Sequence, residues 1–369
     1  MSSAVHALDL SSEVQKVLDG YRIAHGFPGA TVAYVLPDGT VETLATGLAD
    51  AEARHPMTPQ TRMLAGSIGK TFVGAMSLSL EAEGLINLDA PISHYLGEHD
   101  WFIGLPNHDS MTVRDILHHS AGLLDHVHTE AFAEEMRLLL QSGEDAPPPE
   151  EMIGLAKDSD PLFAAGTGWA YSDTGYLLLG LMIEQVTGRP YYDTLHERFL
   201  KPLDLSETEP SDQRTLAGLA VGYTDPDNAF GMPPRTMDRE GRLLWDPAIE
   251  WTGGGLVSTS RDLARWGHAL FSGTAMAEPY LDDLLDGISI APDTPEIKYG
   301  AGVAIYSSSP YGPIYGHGGW VPGYVSSLRH YADANVTIAF QINTDIDTED
   351  LVASLEKALA DVVIPGLHD

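Results

Sequence analysis

Short β-branched runs that read as strands lie toward both ends of this chain, with helical and loop-forming sequence between them. Ala30–Leu36 and Thr40–Thr46 are apolar and β-branched, and Pro37-Asp38-Gly39 turns one into the other, so a hairpin is expected. Far along the chain Leu256–Thr259, Tyr299–Tyr306, Pro313–His317, Tyr324–His330 and Val336–Ile342 also read as strands. Helices are expected over Ser11–Ala24, Ser67–Glu83 (Phe72, Met76, Leu78 and Leu80 apolar, Gly84 ending it), Tyr176–Val186, Ser260 as cap through Phe271, and Thr348–Val363. Residues 222–250 carry Pro226, Pro233, Pro234 and Pro247 with little periodicity, and predict a long loop near a site. The pattern predicts an α+β fold, with an antiparallel sheet from both chain ends, flanking helices and a mostly helical insertion.

The 369 residues are expected to form a single catalytic domain over 1–369, its α/β part about 1–90 and 252–369 and its helical part about 91–251. There is no cysteine, which excludes disulfides, thiolate catalysis and cysteine-bound metals. The formal charge is −33, from 53 acidic against 20 basic residues, so nucleic acid and anionic membranes would be repelled. Acidity of this size fits a cytoplasmic protein, or adaptation to salt. No apolar run approaches the roughly 18 residues of a membrane span. Met1–Gln15 lacks the basic start and apolar centre of a secretory leader, so the expected location is cytoplasmic, or periplasmic or secreted if a leader has been trimmed.

Ser67-Ile68-Gly69-Lys70 opens a helical pattern, and positions i and i+3 share a helix face. A hydroxyl and an ammonium therefore meet there without tertiary help, at a helix N-terminus that favours negative charge on the serine oxygen. The pattern alone is weak: Ser354-Leu355-Glu356-Lys357 repeats it on the last helix, where a solvated face is expected. Only the first copy has partners in Tyr171-Ser172-Asp173 and His317-Gly318-Gly319. A phenol beside a lysine can serve as a base if the ammonium lowers its pKa, and strand glycines let a substrate approach the backbone.

Ser-x-x-Lys, Tyr-x-Asn and a late Lys/His-x-Gly, in this order, resemble the motifs of the penicillin-recognising serine hydrolases. These comprise class C β-lactamases, D-alanyl-D-alanine carboxypeptidases, D-aminopeptidases and β-lactamase-like carboxylesterases, and the resemblance spans about residues 25–345. Thr112–Leu123 and Gly254–Asp262 agree with it. It implies a β-lactamase/transpeptidase-like fold and an acyl-enzyme on Ser67, with Lys70 and Tyr171 as a coupled base and then acid. The backbone N–H groups of Ser67 and Trp320 would form the oxyanion hole, and Asp173, His317, Gly318 and Gly319 would bind substrate. No cofactor and no metal are implied.

Two departures bear on the substrate. Asp173 stands where the resemblance has asparagine, and reads as a helix cap, an anion beside Lys70, or a seat for a substrate amine. Gly318 supplies no hydroxyl, and His317, with an ordinary pKa near 6.5, replaces a permanent cation. The expected substrates are therefore small esters, amides or D-amino acid peptides, with activity rising from about pH 6 to 8 as His317 loses its charge and the Lys70–Tyr171 pair reaches its basic form. The alternatives are a true β-lactamase or D-Ala-D-Ala carboxypeptidase, and a non-catalytic binding protein of the same fold. Two other readings are set aside. Ala65–Gly69 approximates a nucleophile elbow, but Thr58–Leu64 is too polar for the strand it needs. His118, His119, His126 and His128 lack a metal-binding motif, and the resemblance implies that His119 sits in a structural turn. Oligomeric state is not readable from the sequence.

Overall fold

The computed structural model describes residues 2–367, beginning with helix α1 (Ser2–His25). Strands β1 (Gly29–Val35) and β2 (Val41–Asp50) form the expected hairpin, with Ala30 opposite Thr46 and Val35 opposite Val41. Its turn closes through the Leu36 N–H on Thr40 O and the Thr40 N–H on the Asp38 carboxylate, with Gly39 at φ 83°. Strand β3 (His55–Pro56) edges β2. Three short strands, β4 (Met63–Leu64), β5 (Glu209–Pro210) and β6 (Leu256–Ser258), form a small second sheet in the order β4-β6-β5.

The last third of the chain supplies β7 (Ile288–Ser289), β8 (Ile297–Tyr299), β9 (Ala304–Tyr306), β10 (Ile314–Val321), β11 (Tyr324–Tyr331) and β12 (Val336–Ile342). With the first three strands they form one nine-stranded sheet in the order β3-β2-β1-β12-β11-β10-β9-β8-β7, its named pairs antiparallel. The two chain ends meet where β1 pairs with β12, Ala30 opposite Ile342 and Val35 opposite Thr337. Pairing of this kind is long-range, and it fixes which faces β1 and β12 bury.

Four further helices place the site: α2 (Gly69–Ala82), α3 (Asp173–Thr187), α4 (Ser260–Phe271) and α5 (Glu349–Val363). Helices α1 and α5 cover one face of the sheet through Val14, Leu18, Leu351, Leu355 and Leu359 against Val32, Tyr34, Ile338 and Phe340. On the other face lies the larger core, where Phe72 of α2 stacks on Trp266 of α4 at 3.9 Å. Shorter helices and loops between Ser93 and Gly254 pack around α3. Among the described residues no helix is long and apolar enough to cross a membrane.

Two local expectations change and a third holds. The helix after Thr259 is capped by that residue, whose side chain accepts from the Asp262 N–H, while Ser260 bonds to Thr31. The run Tyr299–Tyr306 is not one strand, because Gly300–Val303 turn between β8 and β9, with Gly302 at φ 75°. A Cβ on Gly302 would lie 2.4 Å from the Lys70 carbonyl oxygen, so glycine lets this turn touch α2 beside the site. Residues 222–250 do form a long connection, with short bridges Tyr223–Arg235 and Met237–Leu243, and it delivers its last residue to the site described next.

Candidate active site

Ser67 sits on a 3-10 turn, Gly66–Ile68, that runs into α2, so the regular helix starts at Gly69 rather than at the serine. The turn is wedged between two backbones. A Cβ on Gly66 would lie 2.7 Å from Trp320 N, one on Gly254 2.5 Å from Gly66 C, and one on Gly319 2.0 Å from Ala65 O. Glycine at these positions lets β10 and the 253–255 segment press against the serine turn.

Lys70 is fully buried, at 0% exposure. Its Nζ donates to Ser67 Oγ at 3.1 Å, to the Asp173 carboxylate and to the Gly253 carbonyl, which uses all three of its N–H bonds. The ammonium also faces the Tyr171 ring at 4.9 Å and the Tyr176 ring at 5.3 Å.

Ser172 precedes α3 in extended conformation, φ −151° and ψ 112°, so Tyr171 and Asp173 on either side of it both project toward Lys70. Asp173 is the first residue of α3 and pairs with Lys70; it is not the helix cap. His119 holds this segment from behind. Its Nδ1 accepts the Ser172 N–H at 3.1 Å, its carbonyl accepts the Ala170 N–H, and its ring lies 4.1 Å from that of Tyr171. The other histidines scatter: His126 Nδ1 bonds to Thr174, and His128 is solvent-exposed.

Two pKa expectations change. The Tyr171 phenol is pushed well above its ordinary range, first by burial and then by the Asp173 charge, while the nearby Ser67 hydroxyl pulls weakly the other way. The Tyr171 hydroxyl has no aligned hydrogen-bond partner among the described residues. His317 is pushed down to about 3, first by burial and then by the Lys70 charge. Its Nδ1 must carry the proton, because it faces the Gly318 carbonyl, and its Nε2 then accepts from Tyr299 Oη at 2.8 Å. His317 is thus neutral throughout the physiological range, and both ring nitrogens are engaged inside the protein. The expected rise in activity between about pH 6 and 8 therefore cannot come from His317.

A cavity of about 520 Å³ opens over Ser67 and is lined by Tyr171, Asp173, His317, Gly318, Gly319 and Trp320. Trp320 is 45% exposed at its mouth. Gly318 is not forced by packing: a Cβ there would meet only Ser326 O, at 3.9 Å. Two carboxyls at the site escaped the sequence reading. Glu250 lines the cavity, and its carboxyl is raised to about 7, first by burial and then by Asp173. Asp125 lies behind, 6% exposed, with Oδ1 accepting the Asp173 and Val127 N–H groups; burial and then Asp173 raise it to about 6. For Glu250 the available signal was its place at the end of the long loop, directly before Trp251-Thr252-Gly253-Gly254-Gly255.

Comparison with known proteins identifies the family and fold. Residues 14–361 match the family model described as Beta-lactamase. The chain is 25% identical over 327 residues to penicillin-binding protein 4* of Bacillus subtilis, covering 85% of this chain and 67% of that protein. It is 28% identical over 334 residues to the D-aminopeptidase of Brucella anthropi, covering 89% of this chain and 58% of that protein. A D-stereospecific amidohydrolase from Streptomyces sp. superposes with a TM-score of 0.82 at 27% identity, covering 96% of this chain and 98% of the other. The chain belongs to the beta-lactamase family and is a serine hydrolase of that fold.

Proposed function

We propose that this beta-lactamase-family serine hydrolase cleaves small amides and esters of D-amino acids through an acyl-enzyme on Ser67. The observation that carries the reading is the charge of the cavity. Its wall holds the carboxyls of Asp173 and Glu250 and a neutral His317, and the Lys70 ammonium beside Asp173 is buried and paired. A substrate carboxylate would lose its hydration there without a compensating donor. A neutral or cationic substrate would not. The names of the similar proteins, a D-aminopeptidase and a D-stereospecific amidohydrolase, support the same class.

In this reading Ser67 Oγ attacks the substrate carbonyl while the backbone N–H groups of Ser67 and Trp320 take up the developing oxyanion. Such a donor is typically worth about 10²–10³ in rate. Lys70, acting as the free amine, takes the serine proton across the 3.1 Å contact and passes it on toward Tyr171. Tyr171, kept protonated by burial, is the acid that protonates the leaving amine, and the proton that Lys70 took from Ser67 replaces its own. Water then releases the acid and regenerates Ser67. Gly319 lets the substrate lie along β10.

The test is a side-by-side comparison of kcat/KM for D- and L-phenylalanine amide, D-phenylalanine methyl ester, nitrocefin and benzylpenicillin. The D-amide and D-ester are expected to exceed both β-lactams. Faster turnover of nitrocefin than of every amide and ester would replace this reading by a β-lactamase.

A further inference from the structure

Three carboxyls surround Lys70, and their surroundings separate their roles. Asp173 is committed to the Lys70 ammonium. Asp125 is buried behind Asp173 and holds backbone N–H groups with one oxygen. Only Glu250 both lines the cavity and, among the described residues, has neither a hydrogen bond nor an ion pair on its carboxylate. An acid surrounded by protein yet open to a substrate cavity lacks a counter-ion that the substrate could bring.

Its position is fixed by an expensive backbone. The turn Pro247–Glu250 is capped by Asp246, whose carboxylate accepts the Ala248 N–H at 3.1 Å and the Ala146 N–H at 3.0 Å. The next residue, Trp251, sits at φ 34° and ψ −119°, outside the ordinary regions for a residue with a side chain. Such strain persists only where the surroundings enforce it, and it gathers at functional sites. Here the Trp251 ring is pinned over Gly180 of α3, where a Cβ would come within 2.7 Å of it. One side of this short segment thus grips α3 while the other presents a carboxylate to Ser67's cavity.

We propose that the Glu250 carboxylate binds the free α-ammonium group of the substrate, so that the site selects unacylated amino acid amides and the amino-terminal residue of peptides. This rests on the amidase reading above and adds the group that must be present on the substrate. The charges facing Glu250 are Asp173, Lys70 and Asp125. Because Lys70 neutralises Asp173, the remaining local charge is negative, and an incoming ammonium offsets it.

The experiment compares D-phenylalanine p-nitroanilide with its des-amino analogue, 3-phenylpropionic acid p-nitroanilide, on the wild type and on Glu250→Gln. Gln is close to isosteric and removes only the charge. The variant is expected to lose at least tenfold in kcat/KM on the amine substrate, mostly through KM, and to stay within twofold on the analogue. For the wild type, KM for the amine should rise below about pH 7, as Glu250 takes up a proton, and above about pH 8, as the substrate amine loses its own. Equal losses on both substrates, or none on either, overturn the proposal. A second measurement separates it from the amidase reading: calorimetric binding of D-phenylalanine amide and 3-phenylpropionamide to Ser67→Ala, with and without Glu250→Gln. Amine-dependent binding that Glu250→Gln abolishes supports the assignment even if neither anilide is cleaved. Equal binding of the two amides overturns it.

Discussion

Replacing Asp173 tests the electrostatic core of the site. Lys70 is 0% and Asp173 17% exposed, so the pair is largely desolvated. Removing one partner of such a pair leaves an uncompensated buried charge, at a cost of about 3–5 kcal/mol. Asp173→Ala should lose about that much stability. Asp173→Asn, which restores the residue usual in related motifs, keeps an oxygen acceptor for Lys70 and should lose less. The same change reaches the other acids, since the Asp173 charge is the second cause, after burial, of the raised Glu250 and Asp125 values. Without it both should fall, Glu250 from about 7 toward the ordinary glutamate range, and the acidic limb of the rate profile should move to lower pH. Because Asp173 holds Lys70 beside Ser67, kcat should fall in Asp173→Asn while KM for a neutral ester changes little. Chemical denaturation of the three proteins at pH 7 and a pH profile of kcat/KM decide the matter. A stability unchanged in Asp173→Ala, together with an unmoved acidic limb, would refute the reasoning.

Two further outcomes follow from the same geometry. The raised Glu250 and Asp125 carboxyls bind protons more tightly in the folded chain than in the unfolded one, so their burial lowers stability as pH rises from about 4 through their folded values of about 7 and about 6. Asp50, held down to about 2 by its hydrogen bond with Arg235, acts oppositely and loses its contribution only in stronger acid. Glu250 alone should cost the folded state about 2–3 kcal/mol more at pH 8 than at pH 5, against an opposite trend from the buried neutral histidines His118, His126, His317 and His330 that both proteins share; Glu250→Gln should therefore gain stability over the wild type at pH 8 relative to pH 5, and a wild-type-to-variant difference equal at both pH values would contradict this. The glycines of β10 should diverge: Gly318→Ser meets open space and should fold normally while improving nitrocefin turnover relative to esters, whereas Gly319→Ala, 2.0 Å from Ala65 O, should lose both stability and activity; thermal melts and paired rate measurements check both.

What the sequence made legible was local. A serine and lysine three apart meet on any helical turn, so Ser67 and Lys70 could be paired from spacing, while Tyr171 and Asp173 joined them only through the resemblance of the three ordered motifs to a known family. The sheet from both chain ends was readable because β-branched runs were short and bounded by turns. The second Ser-x-x-Lys copy divides as the solvated-face reading expects: Ser354 donates to the Leu351 carbonyl of its own helix and Lys357 pairs with Asp361. What stayed hidden was tertiary. Glu250 reaches the cavity through a loop without periodicity, and the acceptor role of the Gly253 carbonyl depends on backbone proximity. The protonation states of His317 and Tyr171 depend on burial, which pushes both toward neutrality and outweighs the motif-based expectation for each.

The most direct measurement is acid-quench trapping of the enzyme during turnover of D-phenylalanine methyl ester, with intact-mass and peptide mapping of wild type, Ser67→Ala and Ser354→Ala. The account predicts a single phenylalanyl adduct on the peptide containing Ser67 in the wild type and in Ser354→Ala, and neither adduct nor turnover in Ser67→Ala. An adduct on any other residue, or turnover that survives Ser67→Ala, would contradict it.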